Sequence, residues 1–241
     1  MIVKNKLLNF KDKIIYQDSS SFLFSLDSVL LANFVTVNKS FKNIIDLCTG
    51  NGPIPMLLTY RTKAKILGVE IQKDIYDMAV LSVKENNMEN QISYINLDIK
   101  KLINKNFDEK FDVVTCNPPY FKVNESSLIN KNEKKTIARH EVFIKLDDVI
   151  RISKYLLKTG GIFAMVHRPD RLVEIIFLMK KYNIEPKRIR LVYPKNGKEA
   201  NMLLIEGIKN GNLGLKILPP LVVHNNDGSY SQEVKDMFGG R

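Results

Sequence analysis

Four apolar runs, each stopping abruptly on polar or glycine residues, constrain this chain more than any other feature. Phe41–Leu47 runs into Asp46-Leu47-Cys48-Thr49-Gly50-Asn51-Gly52, and Lys65–Val69 stops at Glu70. Ile92–Leu97 stops at Asp98, and Phe111–Cys116 stops at Asn117-Pro118-Pro119-Tyr120. Runs this short and apolar read as core strands. Between two of them, Ile75, Met78, Ala79 and Val83 recur at helical spacing within Asp74–Asn87. Strands alternating with helices build a largely parallel α/β sheet, and such sheets bind ligands outside the carboxyl ends of their strands. Asp46, Glu70, Asp98 and Asn117 then share one edge, which turns four ordinary polar residues into one candidate site.

Each tip carries its own chemistry. Gly50 and Gly52 let the backbone approach a ligand closely, and Pro53 suits the first turn of the next helix, where its missing N–H costs nothing. The third glycine of a dinucleotide fingerprint is absent, since Pro55 and Met56 occupy that region; the ligand therefore lacks a pyrophosphate. Glu70 stands where α/β nucleotide sites place a ribose-binding carboxylate. Asp98 either accepts from an adenine amino group or caps the next short helix, and both roles are compatible. At the fourth tip, two prolines in series make a rigid extended loop. That loop fixes the Asn117 amide and the Pro118 carbonyl as two acceptors for a planar –NH2 group, with the Tyr120 ring placed to stack on its plane. An adenosine-shaped ligand without pyrophosphate, beside a trap for an aromatic amine, fits S-adenosylmethionine donating a methyl group and leaving S-adenosylhomocysteine. Positioning and electrostatics would carry such a transfer, with no metal, cysteine nucleophile or histidine base.

The rest of the chain sets the context. Asp27 reads as the N-cap of a helix over Ser28–Val35, lying where a packing helix or a lid over the cofactor would sit. Residues 1–40 are expected to form a hairpin and helix lid packed on the core, and 41–241 the main domain. Ile137–Leu157 reads as a helix closed by Gly160-Gly161, Phe121–Thr136 as a loop, and Ile162–Val166 as a further strand. Arg171–Tyr182 reads as a helix. Arg188–Tyr193 and Met202–Gly207 read as a late hairpin, which makes one strand antiparallel. Cys48 and Cys116 are the only cysteines, and with three scattered histidines they show no zinc-ligand spacing. No metal, no membrane span, no signal peptide and a cytoplasmic setting are expected. Net charge is +11, and it is uneven: residues 1–120 carry 15 Lys and Arg against 13 Asp and Glu, the remainder 22 against 13. A basic excess of this kind suits a polyanionic partner such as nucleic acid.

These residues carry a resemblance. The chain resembles class I S-adenosylmethionine-dependent methyltransferases, within them the NPPY subset that methylates amino groups. More closely it resembles bacterial tRNA methyltransferases acting on N6 of the adenosine just 3′ of the anticodon of a valine tRNA. The matching stretches are Asp46–Gly52, Gly68-Val69-Glu70-Ile71-Gln72, Phe111–Phe121, Ala138-Arg139-His140-Glu141, Val166-His167-Arg168-Pro169, Pro186-Lys187-Arg188 and Glu199-Ala200-Asn201-Met202. The resemblance implies a Rossmann-like sheet with helices on both faces and catalytic roles for Asn117, Pro118 and Tyr120. It implies cofactor contacts at Asp27, Asp46, Cys48, Gly50, Asn51, Gly52, Glu70, Ile71, Asp98 and Asn117. RNA contacts are expected at Tyr120, Phe121, Arg139, His140, Arg168, Lys187 and Arg188, with Arg190 and Lys198 as further phosphate partners. The expected partner is tRNA and the expected state a monomer, or else a dimer. Cys48 departs from the family, which usually has glycine there; the departure is harmless if its φ is negative. Competing readings are an amino-group methyltransferase for rRNA or for protein glutamine, and a non-catalytic RNA-binding protein on the same scaffold.

Overall fold

Along the central strands, successive side chains fall alternately into two apolar layers. Ile44, Val113, Ile162, Ala164, Val166 and Leu204 belong to one, and Ile45, Val114, Phe163, Met165, Leu203 and Ile205 to the other. This is the two-residue period of a sheet covered on both faces. The computed structural model describes residues 2–8, 10, 13–18, 25–119 and 144–239. Its strands are β1 (Ile2–Lys6), β2 (Ile14–Asp18), β3 (Asn43–Leu47), β4 (Lys65–Glu70), β5 (Ile92–Asn96), β6 (Phe111–Cys116), β7 (Leu157–His167), β8 (Ile184–Lys195), β9 (Met202–Lys209), β10 (Lys216–Ile217) and β11 (Leu221–His224). Its helices are α1 (Leu26–Phe34), α2 (Pro53–Leu58), α3 (Lys73–Glu85), α4 (Leu146–Leu156), α5 (Leu172–Lys181) and α6 (Gln232–Met237). The main sheet runs β5-β4-β3-β6-β7-β9-β8-β10, with β11 also on β8. Only β9 is antiparallel to its neighbours. Helices α1 to α3 contribute to the first layer and α4 and α5 to the second. No helix among the described residues is long and apolar enough to cross a membrane.

The order of strands places β3 inside the sheet, third from the β5 edge, between β4 and β6. The expected late hairpin is β8–β9, and its antiparallel register runs from Ile184↔Lys209 to Val192↔Met202. Two expectations fail locally. Gly160 and Gly161 do not close a helix; α4 ends at Leu156, and Leu157 is already extended at φ −73, ψ 138. The glycines sit in a bulge of β7, where Lys158–Gly161 face Asp112 alone. Gly160 supplies the left-handed residue at φ +78. The Asp112 carboxylate stitches the bulge, accepting from Lys158 Nζ at 2.6 Å and from the Lys42 and Asn43 amides at 2.8 and 2.9 Å. Asp27 is not an N-cap either: Ser25 holds that position, and Asp27 lies in the first turn, where a carboxylate favours the helix dipole.

The N-terminal strands β1 and β2 pair antiparallel and lie against α3. The Tyr16 amide donates to Ser82 Oγ at 2.9 Å, and the Asn86 side chain bonds both polar backbone groups of Ile14. The far end of α1 is fixed by a polar cluster. Arg61 donates to the Val35 carbonyl at 2.9 Å and to that of Ala32. Buried Glu206 accepts from the Thr36 amide at 2.6 Å and the Thr36 hydroxyl at 2.9 Å. Arg188 donates to Thr36 Oγ1 at 2.6 Å and to Glu206 at 3.2 Å, and its guanidinium lies over the Phe34 ring. Arg188→Ala leaves Glu206 buried without its cation, so we expect a loss of roughly 1–3 kcal/mol in urea unfolding. A variant as stable as the parent would show that this cluster does not hold α1.

Candidate active site

Parallel register delivers three strand tips to one place. Leu47 pairs with Val69 on one side and with Cys116 on the other. The next residues, Cys48 and Asn117 just past their strands and Glu70 as the last residue of β4, therefore lie at the same edge. The loop after β3 then coils through three left-handed residues, Cys48 at φ +55, Gly50 at φ +59 and Gly52 at φ +88. The condition under which Cys48 would be harmless, a negative φ, is therefore not met. A non-glycine residue in this region costs about 1–2 kcal/mol, and the Cys48 thiol rests against that of Cys116. Burial, first, and that contact push the Cys116 thiol well up.

The two glycines serve different ends. A Cβ at Gly52 would stand 2.1 Å from the Tyr94 hydroxyl, so Gly52 makes room for the protein itself. A Cβ at Gly50 would meet nothing within 4 Å, so that part of the loop faces open space. Glu70 locks the loop to the end of β4. Its carboxylate accepts from the Gly50 amide at 3.0 Å and the Gln72 amide at 2.9 Å. Burial raises the Glu70 pKa despite those amides, which pull it down. Each carboxylate oxygen accepts more than one hydrogen bond, so both can also receive a diol. Ile71, next in sequence, is 41% exposed, an apolar surface at the same tip. Asn96 clamps this corner by donating to the Glu70 and Ile71 carbonyls at 2.8 and 2.9 Å. Asp98 caps the following 3-10 turn, accepting from the Lys100 amide at 2.9 Å.

Two expected cofactor contacts lie behind the site. Asp46 is fully buried, and its two oxygens accept from Thr49 Oγ1 and Thr115 Oγ1, each at 2.6 Å. It ties the glycine loop to β6 and offers no free face to a ligand. Asn51 is also turned inward, donating to the Tyr16 carbonyl at 2.9 Å and fastening the N-terminal hairpin to the loop. Sequence could show that these polar residues sit in the loop, but not that neighbouring strands consume them. At the fourth tip, Asn117 Nδ2 donates to buried Ser28 Oγ of α1 at 3.4 Å. This bond orients the Asn117 amide, and Ser28 went unremarked in the sequence because it reads there only as a helical residue. Pro118 is buried and Pro119 half-buried, as a rigid loop requires.

The basic residues divide. Tyr120, Phe121, Arg139 and His140 lie outside the described residues, as does the loop Phe121–Thr136. Arg168 follows β7 at the site edge, and its amide donates to His167 Nδ1 at 2.8 Å. Burial, mainly, lowers the His167 pKa to about 4, so its ring is neutral near pH 7. Lys187 and Arg188 lie further down the sheet, where Glu206, the partner of Arg188, is itself paired with Ala164 in mid-strand. Lys187 donates to the Asn212 and Leu213 carbonyls at 3.1 and 3.3 Å, while Arg188 serves Glu206. Arg190 is likewise spent on Glu233 and the Pro219 carbonyl. Internal acceptors hold all three, so a phosphate contact at any of them would have to compete with a bond already made.

A glycine loop, a buried acid at the next strand tip and a rigid Asn-Pro-Pro tip on one edge of this sheet are the marks of a class I methyltransferase. The chain belongs to the methyltransferase small domain family, whose model matches residues 24–181. Among similar proteins, a Phocaeicola vulgatus protein is 26% identical over 83% of this chain and 83% of its own length. A Bacteroides fragilis protein is 25% identical over 95% of this chain and 96% of its own. Both are named tRNA1(Val) (adenine(37)-N6)-methyltransferase. Of solved structures, a predicted O-methyltransferase of Agrobacterium tumefaciens superposes with TM-score 0.71 at 24% identity, covering 89% of this chain and 96% of that one. Methanocaldococcus jannaschii Trm5 with adenosine does so with TM-score 0.60 at 16% identity, covering 88% of this chain and 56% of that one. These two share the fold.

Burial raises the Asp46 pKa from 3.8 to about 7. The folded chain then binds the proton more tightly than the unfolded one, so stability contributed by protonated Asp46 is lost as pH rises from about 4 through about 7. Asp46→Asn removes that loss. We expect the difference in melting temperature, variant minus parent, to be more positive at pH 8 than at pH 5. An unchanged difference would mean that Asp46 is ionised in the fold throughout. Gly52→Ala should destabilise by roughly 2–4 kcal/mol through its left-handed φ and the Tyr94 clash, whereas Gly50→Ala should cost less in urea unfolding.

Proposed function

We propose that this chain transfers a methyl group from S-adenosylmethionine to N6 of an adenosine in tRNA, position 37 of a valine tRNA. The observation that carries the reading is the junction of Glu70, the Gly50 loop and Asn117 at one sheet edge. The residues present fit the methyl donor: Glu70 for the ribose hydroxyls, Ile71 as an apolar platform for the adenine, and the open backbone at Gly50 for the remainder. When bound, the donor supplies an electrophilic methyl on a sulfonium. Asn117 Oδ1 and the Pro118 carbonyl accept from the two hydrogens of the target amine. That pairing favours a pyramidal nitrogen and aims its lone pair at the methyl carbon. The new N–C bond forms as the S–C bond breaks, and the surplus amine proton passes to solvent. Ser28 holds the Asn117 amide so that its oxygen, not its nitrogen, faces the amine. The segment 1–40 serves as a cover for this site, a role supported by the Asn51–Tyr16 and Ser28–Asn117 bonds.

The tRNA substrate rests on the names of the similar proteins and on the basic second half of the chain. Bulk tRNA incubated with the protein and labelled donor should yield labelled N6-methyladenosine at position 37. Label on a guanine amine or on a glutamine side chain would move the activity to another acceptor, and no transfer at all would favour the non-catalytic reading. Asn117→Ala should lower kcat by about 10²–10³ while S-adenosylhomocysteine affinity stays within about twofold of the parent. Unchanged turnover would remove Asn117 from the chemistry.

A further inference from the structure

The donor takes the β3–β4 half of the carboxyl edge, through Glu70 and Ile71. A base seated at Asn117 therefore lays its neighbouring nucleotides over the other half, where β7 and β8 end and β9 begins. Register places His167 opposite Leu203 and Val192 opposite Met202. Arg168 and the turn from Lys195 to Asn201 thus stand side by side, within about three strand spacings of β6, or about 15 Å.

The side chains there differ from the basic residues further down the sheet. Among the described residues, no hydrogen bond or ion pair holds the Arg168 guanidinium or the Lys195 and Lys198 ammonium groups, and both lysines are exposed. Lys187, Arg188 and Arg190 are all consumed internally. Two exposed acids, Asp170 and Glu199, share the edge; the three cations still outnumber them. Between the cations, Asn201 closes the turn with its amide on the Val192 carbonyl at 3.0 Å. Its side-chain Oδ1 is shielded from solvent and has no hydrogen-bond partner. Buried polar atoms are nearly always paired. A half-buried residue with an unpaired acceptor, set among unpaired cations, is what a site for a polyanion with hydroxyl donors requires.

We propose that Asn201, with Arg168, Lys195 and Lys198, forms a subsite for the RNA backbone flanking the methylated base. The cations meet phosphates, and the Asn201 amide turns its oxygen to a ribose 2′-hydroxyl, the group that separates RNA from DNA. The proposal rests on the RNA reading above and adds the location and chemistry of the footprint.

The test measures binding of bulk tRNA, and of an anticodon stem-loop made as RNA and as DNA, by fluorescence anisotropy from 50 to 300 mM salt, roughly the range where counterion release is read. Lys195→Gln/Lys198→Gln should weaken tRNA binding at least about tenfold and flatten the log–log salt slope by about 1.5. Asn201→Ala should leave the slope unchanged and remove most of the preference for the RNA stem-loop over the DNA one. Lys187→Gln serves as control and should bind as the parent does. Parental affinity and slope in the double lysine variant, or an RNA preference intact in Asn201→Ala with parental melting temperature, would overturn the subsite. If the parent transfers no methyl to tRNA while these binding effects appear, the catalytic reading fails and the subsite stands; methyl transfer without the binding effects gives the converse.

Discussion

The bond from the Gly50 amide to the Glu70 carboxylate holds the rest of the site in place. It joins the loop after β3 to the tip of β4, so the left-handed backbone at Gly50 and the buried acid proposed to hold a ribose form one rigid corner. Burial raises the cost of the Glu70 charge, and the Gly50 and Gln72 amides offset it in part. A buried carboxylate with amides already in place is preorganised: it needs no rearrangement to accept two more hydroxyl donors. Behind it, Asp46 braces the same loop through Thr49 and Thr115. Two acids at neighbouring strand ends thus differ in their partners: Glu70 accepts from backbone amides of the loops, and Asp46 from threonine hydroxyls of the fold.

The acceptor side is built on the same plan. Two prolines stiffen the tip of β6, and α1 supplies Ser28 to orient Asn117. Helix α1 can do so because its far end is anchored by Arg61 and by the Glu206–Thr36–Arg188 cluster. Residues from β8 and β9, distant from the chemistry, therefore determine where Ser28 stands. The N-terminal hairpin is fastened to the donor loop through Asn51. The chain thus braces the Gly50–Glu70 corner and the Asn117 tip with elements from both of its ends.

Much of this was legible in the sequence, for a physical reason. Buried parallel strands must be apolar, and they end where polar or glycine residues begin, so β3, β4, β5 and β6 and their tips could be read within a residue or two. The places of Glu70 and Asn117 at neighbouring strand tips were readable because their spacing from the glycine loop and from the prolines is local. Partnership was not legible. Asp46, Asn51, Lys187, Arg188 and Arg190 were all assigned to ligands, yet each is taken up by a residue remote in sequence. Ser28 and Asn96 were overlooked for the converse reason, since nothing local distinguishes them, and Asn201 was read only as part of a matching stretch with no role of its own. The Gly160-Gly161 pair shows the same limit, since a glycine pair reads as a helix stop until Asp112 on the neighbouring strand makes it a bulge.

The central claim is that donor and acceptor corners open onto one cleft. A crystal structure with S-adenosylhomocysteine tests it most directly. Both ribose hydroxyls should lie within hydrogen-bonding distance of the Glu70 carboxylate, with the adenine against Ile71 and the sulfur facing Asn117. A ligand bound with its sulfur turned away from Asn117, or its ribose held by residues other than Glu70, would contradict it.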